Sequence, residues 1–176
     1  MSDFLELCEL RQSCRKFADK SVEHEKLVKC VEAARLAPSA CNSEPWSFVV
    51  VETPEIVSKV AKTGQPNGMN QYLSGAKAFI IVLEEHAVLM QPLRGMLDSQ
   101  YFAKGDLGAA TEHICLEAES LGLGSLIVGV YDRPALRELF DIPAEKQFGA
   151  LIAIGYSEDA SRKKQRKPLD EIVKYY

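Results

Sequence analysis

The chain has 176 residues, 47% of them hydrophobic and 26% charged, with a formal net charge of −4. That size and composition fit one soluble domain with a substantial core, and the acidic balance argues against any general pull toward nucleic acid or an anionic membrane. The five cysteines (Cys8, Cys14, Cys30, Cys41 and Cys115) are odd in number and include no C-x-x-C pair, which argues against a disulfide framework or a zinc knuckle and for a reducing, cytoplasmic compartment.

Taken in chain order, residues 3–10 have the apolar spacing of a short amphipathic helix. The acidic start of the chain is not read as a signal peptide, and no apolar run approaches the ~20 residues a membrane-spanning helix needs. A loop follows, Arg11-Gln-Ser-Cys-Arg-Lys-Phe17. Ser21 is the expected N-cap of a second helix, with Leu27, Val28, Val31 and Ala34 as its buried stripe and Pro38 beyond its end. Small and polar residues then lead to a buried strand, Trp46–Glu52. Thr53 and Pro54 open a short helix as N-cap and first helical residue.

Residues 64–71 read as a turn-rich loop containing Asn67 and Asn70, and Ala78–Leu83 as a second buried strand. Residues 85–100 suggest irregular structure or a short helix, with Met90, Met96 and Leu97 toward a pocket. Phe102–Leu121 has helical periodicity with small residues on several sides, which suits a central or interface helix. Gly122 is its natural stop. Leu126–Tyr131 is expected as the third strand, with Gly129 marking a close backbone approach. A short helix over Arg133–Phe140 and a fourth strand over Phe148–Gly155 complete the set. The basic run 162–167 follows. The final segment, Leu169–Tyr176, is apolar enough to dock. Two helices precede any strand, so the order predicts an α+β fold with a small central sheet between helices, all in one domain over residues 1–176.

Arg11, Ser13 and Arg15 alternate. In extended backbone alternate side chains point the same way, so two guanidinium forks and a hydroxyl would converge on one spot suited to a phosphate. Alone, such a run also suits a solvated basic turn, and the 37–46 segment alone could be a plain surface loop. Other candidates for chemistry are weaker. His113 and Cys115 are two apart on a helix and do not face each other. His24 and His86 lack metal-ligand partners at useful spacing. Gly122-x-Gly124 follows a helix and precedes a strand, the reverse of a dinucleotide-binding turn. Neither a catalytic side chain nor a metal site is expected.

Four motifs, together and in register, resemble the FMN-dependent nitroreductase family: R-x-S-x-R-x-F at 11–17, A-P-S-A-x-N-S-x-P-W at 37–46, G-L-G-S with a following strand at 122–131, and K-x-R-K-P at 164–168. The resemblance spans nearly the whole chain. It implies a nitroreductase-like fold with a mostly antiparallel sheet, and a homodimer with an exchanged C-terminal segment. It implies that Arg11, Ser13 and Arg15 hold the phosphate and ribityl chain of FMN, and that Lys164 and Arg166 close over the same phosphate. By the same likeness Pro38, Ser39, Ala40 and Asn42 reach the partner's flavin. Ile127, Val128 and Gly129 lie beside its ring. Asn70, or else Asn67, bonds the pyrimidine end.

The implied activity is hydride transfer from NADH or NADPH through FMN to a nitroaromatic, quinone or related small acceptor, in a ping-pong sequence. Leu126-Ile127 stands where many relatives have Cys-Trp, and the chain has no room for the long helical cover of larger relatives, so an open pocket is expected. The alternatives are a flavin-binding carrier or sensor without turnover, a flavin-cleaving or dehalogenating enzyme, and a nucleic-acid-binding module. The last is opposed by the negative net charge and by basic runs that carry no interleaved aromatics.

Overall fold

The computed structural model describes residues 3–94 and 98–176. Six helices, α1 (Phe4–Leu10), α2 (His24–Arg35), α3 (Pro54–Thr63), α4 (Ser99–Ser120), α5 (Arg133–Leu139) and α6 (Leu169–Ile172), surround four strands: β1 (Trp46–Val51), β2 (Ala78–Glu84), β3 (Gly124–Ile127) and β4 (Gln147–Gly155). The strands form one sheet in the order β1-β2-β4-β3, antiparallel throughout.

The architecture is α+β, as the order of elements predicted. Its central strands, β2 and β4, are apolar on both faces because both faces are covered. Ile80 and Val82 of β2 join Ile152 and Ile154 of β4 in a core closed by Leu27, Cys30 and Ala34 of α2 and by Leu107, Ala110 and Ile114 of α4. The intervening residues Phe79, Ile81, Leu151 and Ala153 point the other way, onto Val57 and Val60 of α3 and Leu136 of α5. The two-residue period of a strand thus serves two cores at once.

Helix α4 is the spine. Asp98 caps it, accepting from Gln100 N at 3.0 Å. The small buried residues Ala110 and Ala118 let α2 and the sheet approach closely, and Gly122 ends it at a φ of 74°.

Several expectations are corrected. Helix α2 begins at His24 with Glu23 at its N-cap and no side-chain cap bond, so Ser21 lies outside it. Its inward stripe is Leu27, Cys30 and Ala34, with Val31 half-buried, while Val28 is 45% exposed. A cysteine is small and apolar enough to serve as core. The third strand covers Gly124–Ile127 and not Leu126–Tyr131, because pairing starts opposite Gly155, at the far end of β4. Met90 is exposed and does not line the cleft described below; Met96 and Leu97 lie outside the described residues. Within the single chain Leu169, Ile172 and Tyr175 are exposed. No helix among the described residues is long and apolar enough to cross a membrane.

Candidate functional site

The loop after α1 is held flat against the edge strand β3. Cys14 N donates to Ser125 O at 2.9 Å, and Ser13 pairs with Ser125 as an isolated parallel bridge. The fit is tight because Gly124 has no side chain: a Cβ there would meet Cys14 Cβ and Sγ at 2.8 Å and Ser157 Cβ at 2.9 Å. The G-L-G-S motif therefore has a packing role, seating the 11–17 loop against the sheet.

The chain after β4 runs back along the same loop. Ala18 N donates to Tyr156 O and Glu158 N to Lys16 O, both at 2.8 Å. Asp159 Oδ2 accepts from Arg15 N at 2.5 Å and from Lys16 N at 3.3 Å. Further on, Arg162 Nη2 donates to Ser13 O at 2.6 Å, and Lys164 Nζ donates to Arg11 O. Residues at the two ends of the chain are thereby laced into one cationic site.

Arg11 sits beside helix α4, with Nε 3.5 Å from Glu112 Oε1. Lys164 is the most telling group. Burial pushes its ammonium below the usual lysine range; the neighbouring Arg11 and Arg166 push it further, against a smaller upward pull from Glu119 and Glu112. Cations crowded and partly desolvated in this way are suited to an anion with several acceptor oxygens. Arg15 is exposed and lies over the Tyr72 ring, 5.9 Å from its centroid.

The strand end beyond β3 forms the next part. Val128 is buried and its N–H donates to Leu151 O at 2.8 Å, while Ile127 and Gly129 are exposed. A Cβ at Gly129 would meet nothing within 4 Å, so this backbone faces open space. Asn70 is tied to it: its Nδ2 donates to Val130 O at 3.1 Å and to Gly64 O at 2.9 Å, and its Oδ1 accepts from Tyr72 Oη at 2.7 Å. Asn70 therefore braces the loop against the strand end and holds a left-handed φ of 49°. Asn67 is exposed, also at positive φ, and belongs to a separate turn.

One chain thus gathers Arg11, Ser13, Arg15, Asn70, Ile127, Val128, Gly129, Lys164 and Arg166. It does not bring Pro38, Ser39, Ala40 and Asn42 to that group. Their loop is anchored at the other half of α4, where Ala40 N donates to Asp106 Oδ2 at 3.1 Å. Glu112 lies six residues further along the helix, about 9 Å by helical rise, and Glu119 about 20 Å. Cys41, Asn42 and Glu44 of this loop all hold positive φ. Ser39 Oγ accepts from Glu44 N at 3.0 Å and fixes the turn.

A cleft of about 1090 Å³ opens beside the group, between α4 and the sheet end where β2 finishes and β4 begins. Its walls include Ile127, Glu112, Thr111 and Gly108, with Lys104 and Arg133 at charged positions. That volume is slightly above the usual range of about 300–1,000 Å³ for small-molecule and cofactor sites. Of the candidate residues Ile127 alone lines it, and Glu112 joins it to Arg11. The sequence reading missed Gln12, Asp159, Arg162 and Glu112. The Arg162–Lys167 run was visible as a charge cluster, but no local pattern marks which acid of a helix will face it.

A nitroreductase-family model matches residues 9–156. The chain belongs to the nitroreductase family. It is 34% identical over 163 residues to an Archaeoglobus fulgidus protein named "Putative NADH dehydrogenase/NAD(P)H nitroreductase", covering 90% of this chain and 88% of that one. Human iodotyrosine deiodinase 1 is 25% identical over 197 residues, which cover 97% of this chain and 68% of the human protein. An FMN-dependent nitroreductase from Clostridium difficile shares the fold with a TM-score of 0.77 and 26% identity, over 97% of this chain and 98% of the other.

Proposed function

We propose that this nitroreductase-family protein is an NAD(P)H-dependent FMN oxidoreductase, working as a cytoplasmic homodimer on small organic acceptors. The observation that carries the reading is the convergence of Arg11, Lys164 and Arg166 beside Ser13, with Lys164 held below its ordinary range by burial and by the two guanidiniums. A phosphate monoester of charge about −1.5 to −2 relieves that crowding.

The residues fit FMN, and each has a part. Arg11, Arg15, Lys164 and Arg166 would hold the phosphate through charge-assisted hydrogen bonds, with the Ser13 hydroxyl beside them. The exposed backbone of Ile127 and Gly129 would lie against the ring, and Asn70 keeps that backbone in place. When bound, FMN would supply the redox chemistry, hydride acceptance from NADH or NADPH and electron delivery to a nitroaromatic, quinone or related acceptor in ping-pong order. The protein's task is to bind, orient and exclude water, so no side-chain acid or base is required.

The distance of Pro38–Asn42 from the cationic group supports a shared site, in which each chain's loop reaches the flavin of its partner. The exposed apolar residues Leu169, Ile172 and Tyr175 support exchange of the C-terminal segment in the same dimer.

Purified protein should be yellow, release FMN, and bleach anaerobically with NADH or NADPH. A colourless protein that takes up no added FMN would sink the reading. Binding of FMN without reduction by either nucleotide would leave the carrier or sensor alternative. Reductive dehalogenation is the second reading, favoured by the likeness to iodotyrosine deiodinase 1; an iodophenol acceptor in the same assay decides it through release of iodide.

A further inference from the structure

The chain leaves β2 at Glu84 and runs on as irregular backbone, yet Ala87 and Leu89 are buried there. A buried N–H needs an acceptor. Gln100, in the first turn of α4, supplies it: Ala87 N donates to Gln100 Oε1 at 2.7 Å. The same amide donates from Nε2 to Glu84 Oε1 at 2.7 Å and to Glu85 O at 3.2 Å. Glu85 is held in turn by Lys146 Nζ and by the Ser47 hydroxyl, which donates at 2.6 Å. One side chain thus latches the end of β2 to α4, and Glu84, Glu85, His86 and Gln100 all line the cleft.

This latched wall is the end of the cleft far from the cationic group. Gln100 precedes Glu112, the neighbour of Arg11, by about 18 Å of helical rise. On the sheet, Glu84 pairs with Gln147 and Ile127 with Ile152, about 17 Å apart along β4. Between the two ends the face of α4 is bare. Lys104 and Gly108 line the cleft there. Lys104 is exposed and forms no ion pair among the described residues. A Cβ at Gly108 would meet nothing within 4 Å. Glycine weakens a helix interior relative to alanine, and packing within this chain does not call for it.

A nitroaromatic or quinone at the flavin ring occupies only the Ile127 end. NADH and NADPH reach further, because beyond the nicotinamide riboside they carry a diphosphate and adenosine. Resting on the FMN reading above, we propose that the far end of the cleft is a subsite for the adenosine diphosphate half of the nucleotide donor. Lys104 is set against the diphosphate, and Gln100 is the positioning residue that holds the wall. Lys104 lies about 12 Å of helical rise from Glu112, between the two ends, where the diphosphate of a donor with its nicotinamide at Ile127 falls. An ammonium serves a phosphate as a point charge. The bare backbone at Gly108 gives the donor room to lie along the helix.

Stopped-flow reduction of the full-length, FMN-loaded protein by NADH, by NADPH and by reduced nicotinamide riboside is the test. The riboside lacks the diphosphate and the adenosine. Lys104→Gln should raise the half-saturating concentration of both dinucleotides by about two- to fivefold, the loss of one exposed charge contact. The limiting rate, the FMN affinity and the half-saturation by the riboside should not move. Gln100→Ala should give the same split, and amide exchange should show the Ala87 N–H losing its protection. An equal shift for riboside and dinucleotides, or none for the dinucleotides in Lys104→Gln, overturns the subsite. Unaltered exchange at Ala87 overturns the latch. If riboside and dinucleotides half-saturate the wild type alike, this inference falls and the FMN reading stands. If no donor reduces the wild type, the oxidoreductase reading is wrong and both fall.

Discussion

Gln12 and Arg162 stand 150 residues apart and are joined twice: the backbone N and the Nε of Arg162 reach Gln12 Oε1 at 3.2 and 3.3 Å. Gln12 Nε2 returns a bond to Ala160 O at 3.1 Å. This side chain clasps the basic C-terminal run onto the loop that carries Arg11. The bonds are exposed and each contributes about 0.5–1.5 kcal/mol at most. Gln12→Ala should therefore leave global stability nearly intact while loosening the run. Trypsin should cut the variant faster after Arg162, Lys163 and Lys164, and FMN should dissociate a few-fold faster. Identical digestion kinetics for the two proteins would show that the clasp is incidental.

Arg11→Ala, Arg15→Ala and Arg166→Ala should each weaken FMN binding by roughly 1.5–3 kcal/mol, the range for a lost hydrogen bond to a charged group. The exposed Arg15 belongs at the lower end. Fluorescence titration with riboflavin should not separate these variants from the wild type. An equal loss for both flavins would assign the arginines to folding.

Gly124→Ala tests the seat of the loop. Its Cβ would overlap Cys14 and Ser157, at 2.8 and 2.9 Å, and neither the loop backbone nor the tail can move without breaking its bonds to the other. Overpacking of this kind costs about 1–3 kcal/mol. Thermal melting should show that loss, together with weaker FMN binding. A melting temperature equal to that of the wild type would mean that the 11–17 loop yields freely.

The cleft wall carries a pH dependence. Glu85 is held below its ordinary value of 4.5 by its bond to Lys146 Nζ and by the Ser47 hydroxyl, which donates at 2.6 Å. A carboxylate with a depressed folded-state value stabilises the fold above its unfolded value, and that contribution is lost as pH falls through the folded value. Urea melts between about pH 6 and about pH 3 should therefore show a steeper acid loss in the wild type than in Lys146→Gln. The pair is about one-third exposed, so the difference will be modest. Parallel stability curves would remove Glu85 from the acid response.

Removing residues 169–176 should weaken the dimer and FMN binding together, since each flavin site is proposed to draw on both chains. Obligate dimers bury about 2,000–5,000 Å², and the exposed Leu169, Ile172 and Tyr175 would supply part of that. Sedimentation velocity at low concentration is the measurement. A stable monomer that keeps its flavin would assign every contact, including any from Pro38–Asn42, to one chain.

By itself the sequence determined the α+β order, the strands at Trp46 and Ala78, the long helix ending at Gly122, and the family through four motifs in register; the first of those strands is not buried as expected but lies at the sheet edge, buried only at Trp46 and Val51. These are local signals: apolar periodicity, turn residues and short spacings recorded in consecutive residues. It also marked Arg11 and Lys164 as members of one site, but only through resemblance. Tertiary structure alone decided how they meet. Gln12, Asp159 and Arg162 became clasp residues because the chain after β4 turns back along the 11–18 loop, and Glu112 became a neighbour of Arg11 because α4 packs with that side toward the loop. The start of β3 at Gly124 and the outward turn of Val28 were set the same way, by register against Gly155 and by the packing of α2 on α4. A helix or strand encodes its own period; which face is buried, and which distant charge lies opposite, depends on partners more than a hundred residues away.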